Sequence, residues 1–148
     1  MADNASSIIL LTRPRVQSER FAAQIVGRYG SQVEVALHPL VDICPLDVEL
    51  ALEGVSALVF TSENGVLAYA ERTARRDIPA FCVGRTTARS AREMGMIAHD
   101  ANGALQDLVA LILKTVPQQA RVLHLHGRHQ AGNLASALRA QGWDADDL

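Results

Sequence analysis

Apolar residues along this chain fall into short continuous runs, separated by longer stretches in which they recur every three or four positions. The first run, Ile8 to Leu11, has the pattern of a strand buried on both faces, and Thr12-Arg13-Pro14 ends it. Residues 18–29 then carry helical spacing, with Phe21, Ile25, Ala22 and Val26 expected to face inward and Gly30 as the stop. Residues 33–37 predict a second strand. Pro39 and Pro45 keep residues 38–45 extended, and residues 46–52 predict a short helix. From there strands are predicted over residues 57–60, 80–83, 96–98 and 121–125. Helices are predicted over 63–75, 86–94, 105–115 and 132–141, with Gly95 and Gly142 closing two of them and Asn102-Gly103 forming a loop. Strands alternating with helices at this spacing imply an α/β chain built on a parallel sheet covered on both faces. No repeat or low-complexity segment interrupts the pattern.

Composition narrows the possible partners. The 148 residues suffice for one domain with a core, or for a domain plus a piece of another. Lys and Arg total 14 against 16 acids, a net charge of -2, which argues against a general nucleic-acid binder because such a protein needs a positive field. Aromatic residues are only 4%, too few to offer a stacking platform for bases. Any anionic ligand must then be held by local donors. Cys44 and Cys82 form no CxxC pair, so free, buried or half-buried thiols in a reducing compartment are expected. Residues 1–7 lack the basic and apolar regions of a signal peptide, and no apolar run reaches the length of a membrane span. The expectation is a cytoplasmic protein with no membrane or nucleic-acid partner.

In an open parallel sheet the ligand site lies beyond the carboxyl ends of the strands. Small or polar groups stand at four of those predicted ends: Thr12-Arg13-Pro14, Thr61-Ser62-Glu63-Asn64-Gly65, Gly84-Arg85-Thr86-Thr87 and Gly127-Arg128-His129. Each precedes a helix, whose unpaired N–H groups and dipole favour anions. Taken singly, Ser62 and Thr86 read as N-caps; together the four ends predict a ligand cleft. Arg13, Arg85 and Arg128 could grip carboxylates by forked hydrogen bonds. Arg72, Arg75, Arg76, Arg89, Arg92 and Asp107 read as helix-surface charge, Met94 and Met96 as packing, and Trp143 receives no role. Alternation puts His124 and His126 on one face of a strand with His129 nearby. A catalytic zinc site also needs a third ligand and a supporting carboxylate, so these histidines are read as cleft-edge or core residues and no metal is assigned. Neither GxGxxG nor GxxxxGK[ST] is present, which disfavours dinucleotide and triphosphate cofactors. No nucleophile–base pair stands out, so an enzyme of this kind would work by positioning its substrate.

The wording of these segments resembles the uroporphyrinogen-III synthase family. Leu11-Thr12-Arg13-Pro14 with Gln17 and Ser18 resembles the family's opening, and Val59 to Val66 its FTSxNGV segment. Val83 to Ala88 with Gly95 resembles its VGxxTA helix start, and Asn102-Gly103 with Leu108 its next loop and helix. Val122 to Gly127, followed by Leu134, Leu138 and Gly142, resembles its later strand–Gly–helix unit. The resemblance implies two similar flavodoxin-like α/β domains. Residues 1–37 would open an incomplete first domain, 38–45 would link the two, and 46–148 would form a nearly complete second domain ending in the start of a return path. The rest of domain one, and a tyrosine common on the family's return strand, are expected to lie beyond this chain, leaving it weakly active alone and prone to self-associate where the family is monomeric. The implied reaction takes linear hydroxymethylbilane, expels its hydroxyl as water, inverts ring D through a spiro intermediate and closes uroporphyrinogen III, with no cofactor or metal. Arg13, Thr61, Ser62, Asn64, Gly84, Thr86, Thr87 and Gly127 are the implied cleft residues, with no general acid assigned. The alternative from another class is a non-catalytic flavodoxin-like binding or regulatory module. The missing acidic pair after the first strand disfavours a phospho-receiver, and the missing loop aromatics disfavour a flavodoxin.

Overall fold

The structure, a computed structural model, describes residues 7–128 and 133–148. The chain divides into two compact units, Met1–Leu46 and Asp47–Leu148. In the first, β1 (Ser7–Leu11) pairs in parallel with β2 (Val33–Leu37), and α1 (Arg15–Tyr29) connects them, followed by a single 3-10 turn at Gly30–Gln32. Burial here departs from the expectation. Leu11 is buried, but Ile8 and Leu10 are 66% and 57% exposed, because a two-stranded sheet with one connecting helix has cover for one face only. For the same reason α1 buries Ile25 together with Gln17 and Ser18, while Phe21 and Val26 are exposed. The helix also starts three residues early, at Arg15, directly after Pro14.

The predicted helix over residues 46–52 is absent; this stretch is irregular. Leu46, Val48, Leu50 and Leu52 recur at every second position, a spacing that spreads around a helix but lines one side of an extended chain. Leu52 is buried and Leu50 packs against the core, while Arg72 Nη1 donates to Asp47 Oδ1 at 3.2 Å and to the Val48 carbonyl at 3.0 Å.

The second unit is a five-stranded parallel sheet in the order β5-β4-β3-β6-β7. Its strands are β3 (Val55–Phe60), β4 (Ala80–Cys82), β5 (Ala98–Asp100), β6 (Arg121–Leu125) and β7 (Asp144–Asp147), and its helices are α2 (Glu63–Arg72), α3 (Arg85–Glu93), α4 (Leu105–Thr115) and α5 (Leu134–Ala140). Counted within the unit the order is 3-2-1-4-5, where flavodoxin has 2-1-3-4-5. The parallel α/β architecture read from the alternation is present, and its two-faced cover follows from side-chain period two. Leu58, Phe60, Ala80, Cys82, Leu123 and Leu125 pack on one face with Val66 and Tyr69 of α2 and Ala88 and Ala91 of α3. Ala57, Val59, Phe81, Val122 and Ala145 pack on the other with Leu108 and Ile112 of α4 and Leu134, Ala135 and Leu138 of α5. Met96 is buried and Met94 packs beside it, as expected of both.

Several residues bear roles that their sequence context hid. Asp144 to Leu148, read as the start of a return path, pairs in parallel with β6 from Arg121↔Asp144 to His124↔Asp147. Trp143 packs on the core and its indole N–H donates to the Val116 carbonyl at 3.4 Å. Helix α2 ends at Arg72, so Arg75 and Arg76 are not on it, and Arg76 is no ordinary surface charge. Its guanidinium donates to the carbonyls of Ala70, Thr73 and Met94. Both cysteines are free, but Cys44 is exposed where a buried or half-buried thiol was expected; Cys82 is buried.

Candidate functional site

Parallel strands bring their carboxyl ends to one edge. In the second unit the chain winds outward from β3 through β4 to β5, then resumes on the other side with β6 and β7, so the switch point lies between β3 and β6. There α2 leaves β3 toward one face and α5 leaves β6 toward the other, the position at which open α/β sheets place their ligand crevice.

On the β3 side, Ser62 is the extended N-cap of α2, and its hydroxyl accepts from the Gly65 N–H at 3.4 Å. The capping reading of Ser62 therefore holds. Glu63 in the first turn suits the positive end of the helix dipole. Asn64 is half-buried in the same turn. Gly65 has no room for a side chain, since a Cβ there would stand 3.0 Å from the Leu125 carbonyl oxygen. This close approach lets α2 start tight against the end of β6.

Beyond β4 the helix start is built differently. The N-cap of α3 is Gly84, which offers no side-chain acceptor, so Thr86 is a first-turn residue and not the cap. The opening turn of α3 thus has no side-chain cap, an arrangement that suits an anion. Thr86 is exposed at this start, whereas Thr87 is 6% exposed and turned into the protein. The loop after β5 folds back over it. Asp100 Oδ1 accepts from the Asn102 N–H at 2.8 Å, and Gly103, at a φ of 128° that favours glycine, donates its N–H to the Val83 carbonyl at 2.7 Å. An open depression of about 410 Å³ follows, lined by Arg85, Thr86, Arg89, Arg92 and Asp100.

At the end of β6 stands a group whose full membership the sequence concealed. His124 is 2% exposed; its Nδ1 lies 3.0 Å from Asp147 Oδ1 on β7, and its Nε2 lies 3.5 Å from Thr61 Oγ1 beyond β3. Burial pushes the imidazole below its ordinary pKa, the hydrogen bond to Asp147 opposes this, and the neighbouring His126 adds to it. His124 is therefore neutral near pH 7, and its contact with Asp147 is an N–H···carboxylate hydrogen bond more than an ion pair. His126 sits 4.8 Å from His124 between ring centroids, on the same strand face as alternation required. Gly127 and Arg128 are exposed just beyond it, and His129 lies outside the described residues. Asp147 is the acid that the sequence reading missed. Its strand, Asp144-Ala145-Asp146-Asp147, has one apolar residue and gave no strand signal, although the His124↔Asp147 register makes the pairing direct.

Of the residues singled out from sequence, Thr61, Ser62, Asn64, Gly84, Thr86, Thr87 and Gly127 all follow carboxyl ends of strands in this one sheet. Arg13 belongs to the other unit, where it is exposed after β1 and its carbonyl accepts from Ser18 Oγ at 2.8 Å.

Comparison with known proteins agrees with this architecture. A family model described as uroporphyrinogen-III synthase HemD matches residues 20–148. Among solved structures, the uroporphyrinogen-III synthetase of Helicobacter pylori 26695 is similar at 21% sequence identity and a TM-score of 0.53, over 74% of this chain and 54% of that one. At that identity the likeness speaks for the fold, and this chain spans little more than half of that protein's length. No curated protein matches significantly. Through the match over residues 20–148, the chain belongs to the uroporphyrinogen-III synthase family.

Proposed function

We propose that the protein acts in tetrapyrrole biosynthesis as a uroporphyrinogen-III synthase, a cyclising lyase that takes hydroxymethylbilane to uroporphyrinogen III with inversion of ring D. The observation that carries this reading is the uncapped start of α3 at Gly84, on the same sheet edge as Thr61, Ser62 and Gly127 in a chain of this family. The substrate carries acetate and propionate carboxylates on every ring. Backbone N–H groups at a helix start and the arginines lining the nearby depression suit such an anion. Left alone, the linear substrate closes without inversion, so the protein's task is to fold it and to stabilise the charged intermediates.

Thr61, Ser62, Asn64, Gly84, Thr86, Thr87, Gly127 and Arg13 are the proposed substrate-contacting residues. Ser62 and Thr87 would act mainly through backbone and shape, since one hydroxyl caps α2 and the other side chain is buried. The proposed organisation is an opening piece over residues 1–37, a connector over 38–45 and an α/β domain over 46–148. Among the described residues no helix is long and apolar enough to cross a membrane. A cytoplasmic location and a monomeric state complete the proposal, and the reaction draws on no cofactor.

Amide chemical shifts during titration with uroporphyrin III, which carries the product's carboxylates, test the site. Shifts gathered at residues 61–65, 84–88 and 126–128 are expected. Shifts confined to the opposite sheet edge, around residues 53–55 and 117–121, would overturn it.

A further inference from the structure

We propose that His124, His126 and Asp147 form a binding site for a divalent transition-metal cation of the zinc type. The three residues offer one donor atom each, all within 4.8 Å of one another. Asp147 Oδ1 stands 3.0 Å from His124 Nδ1 and 3.8 Å from His126 Nε2. Bonds of about 2.0–2.1 Å in a tetrahedral site put neighbouring donors roughly 3.3 Å apart, a spacing those two distances bracket.

The hydrogen-bond partners argue the same way. His126 Nδ1 lies 2.6 Å from the Gly127 carbonyl oxygen, which can only accept, so Nδ1 carries the proton. With Nδ1 engaged there, Nε2 is the nitrogen left for a ligand, and it faces the Asp147 carboxylate oxygen at 3.8 Å. A cation seated between that nitrogen and the carboxylate oxygen would take both as ligands. His124 can serve the same centre by moving its proton from Nδ1 to Nε2, where Thr61 Oγ1 at 3.5 Å is placed to accept it. Each imidazole would then ligate through one nitrogen and donate through the other to an oxygen, the arrangement that fixes ring orientation at protein metal sites.

The backbone holds this geometry in place. Leu148 N–H donates to the His124 carbonyl at 2.8 Å and His126 N–H to the Leu148 carbonyl at 2.9 Å, so β6 and its neighbour stay in register through the cluster. The His126 and Asp147 side chains keep 15% and 24% of their surface, which leaves a route of entry from solvent, while His124 closes the inner side. Three protein donors leave a fourth tetrahedral position for water or a carboxylate. None of this depends on the proposed reaction.

Calorimetric titration of the metal-free chain with zinc chloride at pH 7.5, repeated with cobalt(II) for its visible spectrum, provides the test. One site per chain is expected, with a tetrahedral cobalt spectrum. His126→Ala and Asp147→Asn should each weaken binding at least about tenfold, and His99→Ala, away from the cluster, should leave it unchanged. Circular dichroism melts of each variant separate lost ligation from lost folding. Absence of zinc binding by the parent chain would overturn the site. So would undiminished binding in folded Asp147→Asn, or zinc that leaves the His124 and His126 imidazole resonances unmoved.

Discussion

Arg76 Nε donates to the Met94 carbonyl oxygen at 2.7 Å, and this one bond fastens the end of α3 to the segment that follows α2. The same guanidinium donates to the carbonyls of Thr73 at 2.6 Å and Ala70 at 3.1 Å, so it satisfies helix-end acceptors that would otherwise face partial burial. Hydrogen bonds to a charged group contribute about 1.5–3 kcal/mol, so Arg76→Met should lower unfolding stability by about 2 kcal/mol. Arg76→Lys should recover less than half of it, because one ammonium cannot reach the carbonyls of both helix ends at once. Urea denaturation midpoints of the three proteins check this.

Gly65 sets a second expectation. An alanine in the first turn of α2 gains about 1 kcal/mol in helix propensity. Its Cβ would stand 3.0 Å from the Leu125 carbonyl oxygen, a backbone atom at the end of β6, which lies between β3 and β7 in the sheet. Crowding of that kind costs about 1–3 kcal/mol. The clash outweighs the propensity, and Gly65→Ala should lower the thermal midpoint; a raised midpoint would show that α2 can shift away from the sheet.

The two thiols should differ sharply in reactivity. Burial pushes the Cys82 thiol up to a pKa of about 12. Only the thiolate attacks an alkylating reagent, so at pH 8 the reactive fraction of Cys82 is on the order of one in ten thousand, and it rises tenfold per pH unit until the pKa is reached. Cys44 is exposed. Iodoacetamide at pH 8 should label one thiol per native chain and two in urea, as counted by mass spectrometry.

Thr86 and Thr87 are neighbours in sequence with different surroundings. Thr86 is exposed, so Thr86→Ala should leave stability within about 0.5 kcal/mol while weakening uroporphyrin binding. Thr87 is buried, so Thr87→Ala should cost about 1 kcal/mol through lost packing. Thermal melts paired with the amide-shift titration distinguish the two.

Much of this could be read from the residues because the second unit obeys simple periodicities. The predicted bounds of α4 and β6 agree with the structure, since Leu108 and Ile112 keep helical spacing and Val122, Leu123 and Leu125 form a dense apolar run. The misses have physical causes. At residues 46–52 the period was two, not 3.6, and Leu50 and Leu52 dock an extended chain. Strand β7 escaped notice because an edge strand needs few apolar residues, and with it went Asp147, the partner that gives His124 its setting. Around α1 the inward face was misjudged, because Phe21 and Val26 find no surface in their own unit to cover them. The sheet-edge positions of Thr61, Gly84 and Gly127 were legible, since small or polar residues stop an apolar run where a parallel strand ends.

The most direct test of the proposed function is a single-turnover isomer assay. The purified chain, at a concentration equal to freshly generated hydroxymethylbilane, is left to react, and the uroporphyrin isomers are separated after oxidation. Type III above the protein-free background is expected, reduced by Thr86→Ala. Type I alone, at the rate seen without protein, would contradict it.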